Sequence, residues 1–73
     1  MYFVVETQVT KEGTGATLVT THADRNNAES DYHRILSAAA VSNVYKHGAI
    51  VLSDDCYPIM YTAYEHGEDN ENG

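Results

Sequence analysis

The chain predicts an α+β fold of order ββαββ: a four-stranded, mainly antiparallel sheet with one helix across one face. Three observations carry this. The first 22 residues alternate in polarity around a glycine-bearing turn, residues 23–43 place apolar side chains at helical spacing, and two further strand-like runs follow, parted by Asp54-Asp55-Cys56.

In the first strand Phe3, Val5, Thr7 and Val9 point one way, and Tyr2, Val4, Glu6 and Gln8 the other. Two glycines near residues 11–15 mark a hairpin loop, and the β-branched run that follows returns as the second strand. The helix has Asp24 or Asn26 as its cap, Asn26 with Glu29 having capping-box spacing. At about 100° per residue, Ala28, Tyr32, Ile35, Leu36 and Ala39 share one stripe, which should lie on the sheet. The run 45–53 is apolar on both faces, since Ala49 and Val51 oppose Ile50 and Leu52, and predicts a central strand. Pro58 near the start of the last run suits an edge strand. One helix covers only one face. The other is expected to carry Tyr2, Val4, Ile50, Leu52, Met60 and Tyr64, too apolar a set to leave wet, so a second subunit should cover it.

Residues 1–64 read as a single domain and residues 65–73 as an acidic, flexible C-terminal tail. Four acids of the formal charge of −7 fall in that tail, which leaves seven acids against four bases, or −3, in the rest. Such a balance argues against direct DNA or RNA binding, which needs Lys and Arg to displace counterions, and weakens a duplex-mimic reading. A domain this small buries little more than about 60% of its unfolded surface, so association should add stability and a homo-oligomer is expected. The opening residues show no basic leader or long apolar run, and the lone Cys56 makes no internal disulfide; both point to the cytoplasm and away from a membrane.

Glu29, His33 and Ser37 stand four residues apart on the helix, the stacking of an acid, an imidazole and a hydroxyl. A helix interior has no free N–H groups to form an oxyanion hole, so a hydrolase built on these three is the least favoured function, and a capping Glu29 on a polar flank is the simpler account. No enzyme activity is expected. Beyond Ser37 the same side continues through Ala40, Val41 and Val44, a strip of small residues suited to an oligomer interface, to which the uncovered sheet face adds Val4 and Met60.

The four histidines lack metal-ligand spacing, and neither a metal nor another cofactor is expected. His22 and His47 could meet at one sheet edge. Cys56 between acids and a turn is a poor nucleophile, and Asp54 with Asp55 is too small an oxygen set for a divalent cation. Tyr32 belongs to the core; Tyr2, Tyr45, Tyr57, Tyr61 and Tyr64 are candidates for a pocket or interface. Arg25 beside the helix N-terminus and Arg34 are the cations best placed for an anion, although Asp24, Glu29 and Asp31 crowd the same turns. Tyr2, Arg25, His33, Arg34, His47 and Tyr61 are therefore the candidate ligand-binding set.

The stretches Tyr2-Phe3-Val4-Val5-Glu6-Thr7-Gln8, Ala28-Glu29-Ser30-Asp31-Tyr32-His33 and Ala38-Ala39-Ala40-Val41-Ser42, followed by His47, resemble a group of short uncharacterised proteins of Gram-positive gut bacteria and their phages. No activity is assigned to that group, so no site residue is carried over, and the resemblance implies only a mobile-element setting. In that setting the first expectation is a non-enzymatic antagonist of antiphage defence, a homo-oligomer that sequesters a small nucleotide-derived signal. The second is an acidic inhibitor that occludes a host defence enzyme or nuclease.

Overall fold

The computed structural model describes residues 1–66, and its element order is β1 (Tyr2–Val9), β2 (Gly15–His22), α1 (Arg25–Ala40), β3 (Lys46–Ser53) and β4 (Pro58–Glu65). All neighbouring strands run antiparallel in the order β2-β1-β3-β4. The expected α+β architecture is present, with β3 central and β4, which begins at Pro58, at an edge.

β1 and β2 are joined by a tight turn in which the Gly13 N–H donates to the Thr10 carbonyl and the Thr10 N–H to the Thr14 carbonyl. Gly13 has φ +92°, a left-handed conformation that costs a residue without Cβ little, so "KEG" forms a three-residue hairpin loop with a bulge. Asp24 caps the helix, its carboxylate accepting from the Asn27 N–H, and this resolves the choice between Asp24 and Asn26. Glu29, expected in a capping box, instead accepts a 2.7 Å bond from Arg25 one turn earlier. The helix ends at Ala40, so Val44 lies in the loop to β3 and does not extend the strip of Ser37 and Ala40.

α1 lies chiefly over β3 and β1. Ala28, Tyr32 and Ile35 pack on Val4, Ala49 and Val51, with Leu36, Ile59, Met60 and Tyr2 around them. The register Val4↔Val51↔Met60 puts these three on one face, and it is the face the helix covers. The placement of Tyr2, Val4, Met60 and Tyr64 on the uncovered face is thus corrected: Val4 is fully buried beneath the helix and Met60 packs against the same core. Their strands alternate as expected, but with the opposite face inward. Glu65 is the last residue of β4, and the His66 N–H bonds to the Tyr45 carbonyl, so the start of the expected tail is part of the sheet. The rest of that tail lies outside the described residues.

Candidate functional site

Following the register across the uncovered face gives rows of directly opposed side chains. One row is Val19, Val5, Ile50 and Tyr61, running over all four strands; the next is Thr21, Phe3, Leu52 and Pro58. The third is Thr17, Thr7, Gly48 and Ala63, and a dimple of about 170 Å³ walled by Thr7, Ile50, Tyr61 and Ala63 lies beside the backbone of Gly48. Only glycine fits there: a Cβ on Gly48 would stand 2.6 Å from the Thr62 carbonyl oxygen and 2.8 Å from Ala63. Val19 is 54% and Tyr61 71% exposed. None of the described residues covers this apolar surface.

The covered face is, by contrast, rich in polar links. His47 is buried, and its Nε2 lies 2.6 Å from Glu6 Oε2, which also accepts from Gln8 Nε2; its Nδ1 is buried with no hydrogen-bond partner among the described residues. At the other end of the sheet, Asp31 Oδ2 accepts from the Thr20 hydroxyl at 2.8 Å and from His22 Nε2 at 3.0 Å, while Oδ1 takes Arg34 Nη2 at 2.6 Å. Burial would raise the Asp31 pKa, but the bonds from His22, Thr20 and Arg34, with the Arg34 charge, outweigh it and hold the carboxyl down from 3.8 to about 2. An ionised carboxylate only accepts, so His22 carries a proton on Nε2. Tyr32, under the helix, shares a 2.8 Å hydrogen bond with the Thr62 hydroxyl on β4.

A separate cleft of about 290 Å³ opens where the β1–β2 turn meets the α1–β3 loop, with Gln8, Lys11, Glu12, Tyr45 and His66 among its walls. His66 is fixed there by Nε2 against the Ala39 carbonyl oxygen at 2.8 Å and by its ring stacked on Tyr64. The cleft carries one cation, one phenol and one imidazole beside an acid.

The candidate ligand-binding residues do not converge. Tyr2 packs on the core, His47 is buried under the helix, and Tyr61 stands on the far face of the sheet. Arg25, His33 and Arg34 are exposed on α1, and both arginines are paired with acids of the same helix, Glu29 and Asp31. Glu29 turns to Arg25 and His33 packs edge-on to Tyr32, so Glu29, His33 and Ser37 form no hydrogen-bonded relay. Of the expected interface residues, Ser37, Ala40 and Val41 are exposed, Val41 at 83%, whereas Val4 is inaccessible. His22 and His47 sit at opposite ends of the sheet, since His22 opposes Tyr2 and His47 opposes Gln8. Each has found its own acid.

Three features escaped the sequence reading: the two His-acid pairs and the Gly48 dimple. The first two had a visible signal, because Glu6 and Gln8 share a strand face with Val4, and Thr20 and His22 share one strand face, which makes polar partners obligatory if that face is the covered one. Among the described residues no group of three His, Cys, Asp or Glu side chains could hold a metal ion, and no helix is long and apolar enough to cross a membrane. Comparison of the chain with protein-family models, curated proteins and solved structures gives no significant match.

Proposed function

We propose that this chain is a non-enzymatic antagonist that binds a host protein through the uncovered face of its sheet, the occluding-inhibitor reading, in the mobile-element setting that the resemblance implies. The observation that supports it best is the continuous apolar row Val19-Val5-Ile50-Tyr61 beside the Gly48 dimple. An apolar surface with a central pocket is what a protein interface needs for an anchoring side chain, and it offers little to a phosphate. The acidic balance of the chain adds electrostatic steering toward a basic partner such as a nuclease.

Sequestration of a nucleotide-derived signal is the second reading. The cleft favours it, since Lys11, Tyr45 and His66 bring a cation, an aromatic ring and an imidazole together, although none of the three is in the ligand-binding set expected from the sequence and only Tyr45 is among the tyrosines named for a pocket or interface.

Ile50→Glu and Tyr61→Ala test the first reading, because both change the uncovered face and neither removes a core side chain. Wild-type and variant chains, each checked by circular dichroism, are used to purify partners from a defence-bearing host and to restore phage plating on it. One host enzyme retained and inhibited by the wild type, and lost with Ile50→Glu, supports the proposal. Full antagonism by both variants refutes it, and loss of antagonism only with Tyr45→Ala or Lys11→Ala moves the function to the cleft.

A further inference from the structure

We propose that the outer edge of β2 pairs with β2 of a second copy of this chain, antiparallel and centred on Leu18, joining two four-stranded sheets into one. This contact uses a different surface from the uncovered face and does not depend on what that face binds.

Hydrogen-bond parity sets the register. The Thr10 N–H donates to the Thr14 carbonyl, so Thr10 and Thr14 form a hydrogen-bonded pair, and bonded and non-bonded pairs then alternate along β1 and β2. Ala16, Leu18, Thr20 and His22 therefore spend their backbone groups on β1. Gly15, Thr17, Val19 and Thr21 turn theirs outward, to an edge whose residues are mostly exposed. The same parity carried across the sheet places the Tyr45 carbonyl toward β4, where it accepts from the His66 N–H. A two-fold axis at Leu18 pairs Gly15 with Thr21 and Thr17 with Val19 of the copy, and the reverse, so every outward group of both strands is satisfied. An axis one residue on, at Val19, would set Gly15 against Ala23, beyond the end of the strand. Centring on Leu18 also brings the two Leu18 side chains, each 60% exposed, into a non-bonded pair, the closest kind.

The occupant follows from charge and from the contrast between the two edges. β2 contains no Asp, Glu, Lys or Arg in a chain of net charge −7, so it is where two like-charged copies meet with least repulsion. It also lacks the devices that keep an edge single: no proline, no bulge, no lysine. β4 has them. It starts at Pro58, is shifted by a bulge opposite Val51 and Leu52, ends at Glu65, and its outward Tyr61 carbonyl already accepts the Thr62 hydroxyl.

Val19→Pro is the direct test, because the Val19 N–H points outward and its loss removes no bond to β1. Sedimentation equilibrium of the full chain should give twice 8.1 kDa for the wild type and for Ala63→Pro, which alters the outward N–H of the other edge. Val19→Pro and Leu18→Lys should each weaken the dimer about tenfold or more. Amide exchange gives a second readout that does not depend on a variant folding. In the wild type Thr17, Val19 and Thr21 should be protected like Leu18 and Thr20; in Val19→Pro, Thr17 and Thr21 should exchange fast while Leu18 and Thr20 stay slow. A monomeric wild type, unprotected Thr17 and Thr21 amides, or a dimer lost with Ala63→Pro and kept with Val19→Pro overturns the proposal. Ile50→Glu should leave the dimer intact, so failure here and failure of the uncovered-face reading are separately visible.

Discussion

Asp31 should make the stability of this protein fall at acid pH in a window set by its partners. The carboxyl is held at about 2 against an ordinary 3.8. Above pH 3.8 both the folded and the unfolded chain are ionised there, and the bonds from His22, Thr20 and Arg34 count in full. Between 3.8 and 2 the unfolded chain takes up a proton that the folded chain refuses, so stability declines as pH falls, and below about 2 this contribution is gone. A displacement of nearly two pKa units corresponds to ~2 kcal/mol. The Arg34 side chain is 69% exposed, so its share is screened by solvent and about 1–2 kcal/mol is the expected effect. The assay is urea unfolding by circular dichroism from pH 7 to pH 2 at one fixed protein concentration, wild type beside Asp31→Asn. Ten other acids titrate too, but the difference between the two proteins isolates this one. The variant should be less stable by about 1–2 kcal/mol at pH 7 and the gap should close by pH 2. A gap that stays constant across the range would show that Asp31 stabilises by shape and not by charge.

Tyr32→Phe removes the hydroxyl bonded to Thr62 and should cost about 1 kcal/mol, with Thr62→Val costing a similar amount and the double variant less than the sum, measured by the same melts. Gly48→Ala forces a methyl against Thr62 and Ala63 and should cost about 1–3 kcal/mol in the denaturant midpoint. His47→Leu leaves the Glu6 carboxylate half-buried without its partner and should cost about 3 kcal/mol, most of it regained in Glu6→Leu/His47→Leu; a double variant as unstable as the single would contradict the pairing.

Much of the fold was legible because alternation and helical spacing are local properties: the elements, the central position of β3, the edge position of β4 and the inward stripe Ala28, Tyr32, Ile35 and Ala39 all follow from them. Which face of the sheet meets the helix does not follow. In β1 both sets are apolar, Phe3 and Val5 against Tyr2 and Val4, so periodicity is symmetrical between them and the choice is made by tertiary partners. Glu6 and Gln8 would ordinarily mark a strand face as wet; here they mark the buried one, because His47 opposite Gln8 reaches Glu6. On the uncovered face Ile50 and Leu52 stand as expected, while in β1 and β4 the expected Tyr2, Val4, Met60 and Tyr64 give way to Phe3, Val5 and Tyr61. The helix strip lost Val44 because the helix ends at Ala40, followed by a loop that returns the chain to β3.

That inversion bears on what the protein is for. A four-stranded sheet with a single helix normally places its largest apolar side chains between the two layers and leaves the far face polar. In this chain Val4, Ala28, Tyr32, Ile35, Ala39, Ala49 and Val51 are buried between the layers with Tyr2, Leu36, Ile59 and Met60 around them, while Asp31 with His22 and Tyr32 with Thr62 link helix to sheet and Glu6 with His47 joins β1 to β3. Phe3, Val5, Val19, Ile50, Leu52 and Tyr61 stand on the opposite side, where they add little to the stability of a single chain. Hydrogen bonds thus supplement the apolar contact between the layers while further apolar area is turned outward. Apolar area lowers free energy only when it is removed from water, so on the proposed reading the residues of that face act through the partner that covers it. The outward apolar row is the observation on which the proposed binding role rests, and loss of antagonism in Ile50→Glu with the fold intact is the result that role requires.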